Sequence, residues 1–156
     1  MKTLLSLALL VLSLSGCVTQ TPAAKEVLPT AQTFAAPKSV VWPLLVQEVG
    51  LQYPVKAVEK DSGLLTTDFV TIPAGFNNAQ MNKWILPPGG FMTTWDGLRV
   101  SLSILVSEVE PSKTRVTIRA QYHAFENNVA KSWIICQSNG SLENGILTRI
   151  AEQMPK

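Results

Sequence analysis

His123 is the only histidine in the chain, and Cys17 and Cys136 are the only cysteines. With neither a His-x-x-x-His nor a Cys-x-x-Cys spacing, zinc has no ligand set, and no metal is expected. Cys136 and His123 have the residue types of a nucleophile and its base. Cys136, however, closes the apolar run Trp133-Ile134-Ile135, and a buried thiol with no cation beside it is inert, so it reads as a small core hydrophobe. Gly89-Gly90 behind Pro87-Pro88 is turn chemistry and matches neither G-x-G-x-x-G nor a phosphate loop, so no cofactor is expected. Glu108, Glu110, Asp61 and Asp68 fall beside turns, where carboxylates accept local hydrogen bonds and solvate the chain. These readings together predict no enzyme. Arg99, Arg115 and Arg119 offer charge for a lipid phosphate or an acidic partner, or serve as a solvated sheet face.

Covalent chemistry points instead to Cys17. The chain begins Met1-Lys2-Thr3, continues through an apolar run from Leu4 to Leu14, and closes with Ser15-Gly16-Cys17. One basic residue, a short apolar stretch and small residues before a cysteine make a secretory signal, and the stretch is shorter than the ~20 apolar residues that span a bilayer. The segment resembles the lipobox of bacterial lipoproteins. That resemblance implies cleavage after residue 16, a diacylglycerol on the Cys17 thiol and an acylated amino group. Each buried methylene contributes about 0.8 kcal/mol, so three chains would anchor the protein stably. Val18, where an Asp would mark inner-membrane retention in the enterobacterial pattern, implies the outer membrane, with the domain facing the periplasm.

Removing residues 1–16 from the 156 leaves 140, enough for one domain with a core that needs no staples. The remaining 12 basic and 11 acidic side chains nearly cancel, so no nucleic-acid partner is expected. Residues 17–37, rich in Thr, Ala and Pro, read as a tether with an r.m.s. span of about 25 Å, and 38–156 as a single domain. Ser39 is placed to cap a helix from Val40 to Val49, with Val41, Leu45 and Val49 inward and Gln47 and Glu48 outward. Tyr53–Lys60 and Leu64–Ile72 read as strands joined at Asp61-Ser62-Gly63. Leu98 to Val106 and Val116 to Ala124 alternate apolar with polar residues, which predicts a long hairpin with one apolar face. Lys131–Gln137 follows as a strand. Ser141–Met154 is an amphipathic helix with Leu142, Ile146, Leu147, Ile150 and Met154 inward and Glu143 among the outward positions. The expected fold is a two-layer α+β domain in the order α-β-β-β-β-β-α, an antiparallel sheet covered on one face by two helices.

Val40-Val41-Trp42-Pro43 in the first helix, Asp61-Ser62-Gly63 leading into Leu64-Leu65-Thr66-Thr67, and Ser138-Asn139-Gly140-Ser141-Leu142-Glu143 entering the last helix together resemble the BamC-like (NlpB-type) lipoprotein domain. That family implies a helix-grip fold and an accessory or scaffold role in outer-membrane assembly, with an envelope protein as partner and no catalytic residues. The alternative is a binder of a small lipid or glycan in the helix–sheet groove or at an aromatic insert. The insert, residues 73–97, is long for a loop without structure of its own. It carries Trp84, Phe91 and Trp95 as anchors for a partner or ligand, unless these rings fold back to cap the core. The basic sheet face is expected to contribute less. Palmitate labelling in the native envelope tests the anchor: Cys17→Ala should abolish the label and release the protein from the membrane fraction, and undiminished labelling would contradict acylation at this position.

Overall fold

Two alternating runs joined by Glu110-Pro111-Ser112-Lys113 are what a twisted antiparallel hairpin needs, and that hairpin is the centre of the computed structural model of the protein. Residues 27–72, 78–86 and 94–155 are described; Cys17, its flanking signal and Phe91 lie outside them. In chain order the elements are β1 (Ala31–Phe34), α1 (Lys38–Gly50), β2 (Val55–Glu59), β3 (Leu64–Thr67), β4 (Val70–Ile72), α2 (Asn78–Trp84), β5 (Ile85–Leu86), β6 (Trp95–Glu110), β7 (Lys113–Glu126), β8 (Ser132–Ser138) and α3 (Ser141–Glu152). All eight strands join one antiparallel sheet with the path β2-β3-β6-β7-β8-β5; β4 also pairs with β6 and β1 with β7. Among the described residues the domain is thus mostly antiparallel sheet with three helices.

The pairing of β6 with β7 runs from Trp95 opposite Glu126 to Glu110 opposite Lys113. Period two sends Leu98, Val100, Leu102, Ile104 and Val106 to one face with Val116, Ile118, Tyr122 and Ala124, all of them buried. Val41, Leu45 and Val49 of α1 and Leu142, Ile146 and Ile150 of α3 join the same core. A bulge at Asp96 shifts the register between Trp95 and Gly97, which puts odd-numbered Trp95 on the same side as the even-numbered core residues.

Several expectations are corrected. Helix α1 starts at Lys38 behind Pro37, and no side chain caps it, so Ser39 is not the cap. The Pro37 carbonyl instead accepts the Val40 and Val41 amides. The strand expected over Leu64–Ile72 is two strands. The Leu102 amide donates to Thr67 Oγ1 rather than to main chain, and the Asp68 amide turns away to the Pro54 carbonyl, so the ladder breaks at Asp68-Phe69. The segment read as tether contributes β1 to the edge of β7. Four residues of Ala-Gln-Thr-Phe carry too little period for a strand to be read, but Phe34 is buried. The insert 73–97 contains α2, β5 and the start of β6.

Two glutamates expected in solvent are buried. Glu48 accepts from Arg149 Nε, Gln52 Nε2 and Gln153 Nε2, locking α1 to α3. Glu143 solves a gap in the sheet. β1 and β8 occupy separate stretches of one β7 edge, and between them the Ala120 amide donates to Glu143 Oε1 at 3.3 Å while Ser138 Oγ donates to Oε2 at 2.9 Å. A buried carboxylate from a helix thus takes the place of a strand's carbonyl.

Gly140, before α3, has φ +83°, and a Cβ there would lie 2.2 Å from the Leu28 carbonyl oxygen. Gly50 lies at the end of a helix with only Val55 Cγ2 at 3.9 Å from its would-be Cβ. Thermal unfolding should separate the two. Gly140→Ala should lower Tm by about 4 °C or more, through a clash and a positive φ, whereas Gly50→Ala should leave Tm unchanged or raise it, with a gain in stability of up to about 1 kcal/mol. Equal shifts in one direction would contradict the backbone assignment.

Candidate functional site

A pocket of about 270 Å³ opens beside the C-terminal end of α1. Gln52 and Tyr53 follow the helix into one wall, Val70 and Ile72 of β4 with Val100 of β6 form a second, and Trp84 of α2 and Leu142 of α3 supply the rest. Tyr122 of β7 completes it. These walls are set by the sheet: β4 hangs on β6 through Val70 opposite Val100 and Ile72 opposite Leu98, so period two delivers all three apolar side chains to the inner face.

Asn139 places Trp84. Its Nδ2 donates to the Asn82 and Lys83 carbonyls at 3.2 and 3.0 Å, satisfying the end of α2, while its Oδ1 accepts the Ser141 amide at the start of α3. The Asn139 amide donates to the Trp84 carbonyl at 3.1 Å. One buried side chain therefore fixes two helix ends, and with them two of the pocket's lining residues, Trp84 and Leu142. Lys83 Nζ lies 4.8 Å from the centre of the Trp84 ring, a cation–π distance.

The pocket's polar chemistry is neutral. Among the described residues no charged one lines it. Burial pushes the Tyr122 phenol far above its ordinary range, with the nearby Glu143 and Tyr53 adding to the shift. Burial also raises Tyr53, against the opposing pull of Arg149. Both are protonated donors at any physiological pH. The Tyr122 hydroxyl is closed off from solvent and has no hydrogen-bond partner among the described residues. Such a group costs about 1–3 kcal/mol if left unsatisfied.

Of the residues expected to anchor a partner, Trp84 is half-buried, packs against the core and lines the pocket. Trp95 is 9% exposed and belongs to the core, so its ring caps rather than projects. Phe91 and the lipidation residue Cys17 lie outside the described residues. Cys136 and His123 are not brought together: Cys136 is opposite inward Tyr122, and His123 is opposite outward Ile135. Burial raises the Cys136 thiol, only partly offset by a backbone hydrogen bond from Ala124. Among the described residues no group of three His, Cys, Asp or Glu is placed to hold a metal, and no helix is long and apolar enough to cross a membrane. No protein-family model fits the chain, and no curated protein aligns with it.

Sequence reasoning did not single out Tyr122 or Tyr53. The available signal was a tyrosine at an inward position of a strand flanked by purely aliphatic partners, since its hydroxyl needs a partner that such a face does not supply. Tyr122→Phe should therefore leave Tm unchanged or raise it. A loss of more than about 1 kcal/mol in chemical unfolding would show that the hydroxyl is bonded after all.

Proposed function

We propose that this is a lipid-anchored outer-membrane protein whose periplasmic domain binds, rather than transforms, a small amphipathic molecule in the pocket beside Trp84. One observation carries the reading: Tyr122 lines the apolar pocket, and its unpartnered hydroxyl, closed off from solvent, becomes available to a ligand's polar end once that ligand parts the wall. Ligand sites are concave and mostly apolar with a few placed polar groups. A volume of about 270 Å³ is at the lower end of such sites, so it suits one short acyl chain or fused ring rather than a whole phospholipid. The absence of charge in the described lining favours a neutral polar end, an alcohol, ester or amide, over a carboxylate.

The helix-grip arrangement belongs to the same proposal. Both α1 and α3 bury side chains in the core of β6 and β7, and Glu48 with Arg149 joins them, which supports a pair of helices gripping the inner face. The BamC-like resemblance fits this reading, with the domain serving an envelope assembly as an accessory that carries or senses a lipid-like ligand.

The test is a titration of the full chain carrying Cys17→Ala with aminoanthracene, whose emission rises in dry surroundings, followed by displacement with decanol. We expect saturable emission, displacement by decanol, loss of at least tenfold in affinity for Ile72→Trp, which fills the rim, and about tenfold weaker decanol binding for Tyr122→Phe, equivalent to ~1.4 kcal/mol. Unsaturable emission, or identical binding by Ile72→Trp, would overturn the pocket as the site.

A further inference from the structure

The outer face of the sheet carries an independent cluster. Arg99 of β6 lies with its guanidinium carbon 4.6 Å from the centre of the Phe69 ring and 4.4 Å from that of Trp133. Its Nε and Nη2 both donate to His123 Nδ1, at 3.3 and 3.0 Å. Arginine can only donate, so Nδ1 is the acceptor and the neutral ring holds its proton on Nε2. Burial and the Arg99 charge both lower the His123 pKa, consistent with that neutral form. The Phe69 ring lies 4.9 Å from that of His123, and Phe125 meets Trp133 edge-on at 5.4 Å. Trp133 reaches across from β8 to lie over Gly97 on β6, where a Cβ would stand in ordinary van der Waals contact with the indole, at 3.6 Å.

Among the described residues, the charge in this cluster has no counter-ion within ion-pair distance. Arg99 forms no ion pair among the described residues, nor do Arg115 and Arg119 on the same face. The alternate, outward positions of the three central strands, Gly97 to Ser107, Arg115 to Phe125 and Trp133 to Gln137, hold three arginines and no carboxylate. Beside the arginine stand exposed apolar groups: Phe69 is 40%, Trp133 39% and Ile135 69% exposed. Ile135 is the register partner of His123, which is in turn the partner of Arg99, so these groups form one continuous row across the sheet.

We infer that this row is a docking site for a protein segment presenting an Asp or Glu carboxylate flanked by aliphatic side chains. A guanidinium already held between two rings loses little further freedom when it binds, and its unused N–H groups match the two oxygens of a carboxylate. Trp and Arg are the residue types that dominate protein interfaces. Of the three arginines on this face, only Arg99 is held against aromatic rings among the described residues, and one ordered guanidinium ringed by apolar groups fits a point anion better than a charged membrane surface, which is read by several mobile cations together. Exposed aliphatic Ile135 favours a protein segment, whose aliphatic side chains it can pack against, over an acidic sugar, which offers none. This proposal weighs the basic sheet face above the insert, against the expectation from the sequence, and it does not depend on the pocket.

The test is an NMR titration of the full chain carrying Cys17→Ala with the capped peptide acetyl-Ile-Glu-Leu-Ile-amide and its Gln counterpart. We expect saturable shifts at Arg99 Nε–H and the Trp133 indole N–H, at least tenfold weaker binding of the Gln peptide, and a comparable loss for Arg99→Lys, which keeps the charge but not the planar fork. Trp133→Ala should also weaken binding while Trp84 resonances stay unmoved. Equal binding of the two peptides, full affinity in Arg99→Lys, no saturable shift at millimolar peptide, or tighter binding of N-acetylmuramic acid than of the Glu peptide would each overturn the proposal.

Discussion

The pairing of β6 with β7 is the constraint on which the rest of the domain depends. It fixes, residue by residue, which side chains face the core and which face outward, because a slip of one position would invert both faces at once. The inner side carries the core and the pocket, through Val100 and Tyr122; the outer side carries Arg99 and His123 at adjacent register. Neighbouring segments attach to this hairpin in short lengths: β3 and β4 to β6, β1 and β8 to β7. Where the attachments leave a gap, Glu143 fills it from a helix.

Much of this was legible because period two is a strong signal when it lasts. Leu98 to Val106 and Val116 to Ala124 carry unbroken alternation, and both strands, their faces and their partnership follow from it. The last helix was legible for the corresponding reason at period 3.6. Shorter attachments were not: β1 is Ala-Gln-Thr-Phe, and its pairing depends on an edge of β7 that only the assembled sheet exposes. Glu48 and Glu143 were assigned to solvent because charge usually goes there. Each is buried instead because specific donors, Arg149 and the Gln side chains in one case and the Ala120 amide and Ser138 in the other, converge on it. Such convergence is a property of tertiary contacts and leaves no local pattern. The two sites failed for the same reason. Trp84, Tyr53, Ile72 and Tyr122 come from four separate segments, as do Phe69, Arg99, His123 and Trp133.

Glu126 illustrates how the frame is tied at its far end. Burial works against its charge, yet the backbone amides of Asn128, Ala130, Val129 and Thr94 outweigh that and hold its pKa below the ordinary 4.5. The folded state therefore gains stability from this carboxylate above the ordinary carboxylate range, and loses it as the pH falls through the lowered value. The turn between β7 and β8, and with it the position of Trp133, is held by a charge that remains ionised at neutral pH. The inner pocket is built on the opposite principle, with uncharged phenols at its wall.

The most direct measurement of the central claim, that the inner face of the hairpin holds a ligand, is a crystal structure of the full-length protein extracted from its native envelope without delipidation. Continuous density between Trp84 and Leu142, ending in a polar group at hydrogen-bond distance from the Tyr122 hydroxyl, about 2.7 Å, is the predicted result. A pocket closed by the chain's own side chains, with the hydroxyl bonded to a protein acceptor, would contradict it.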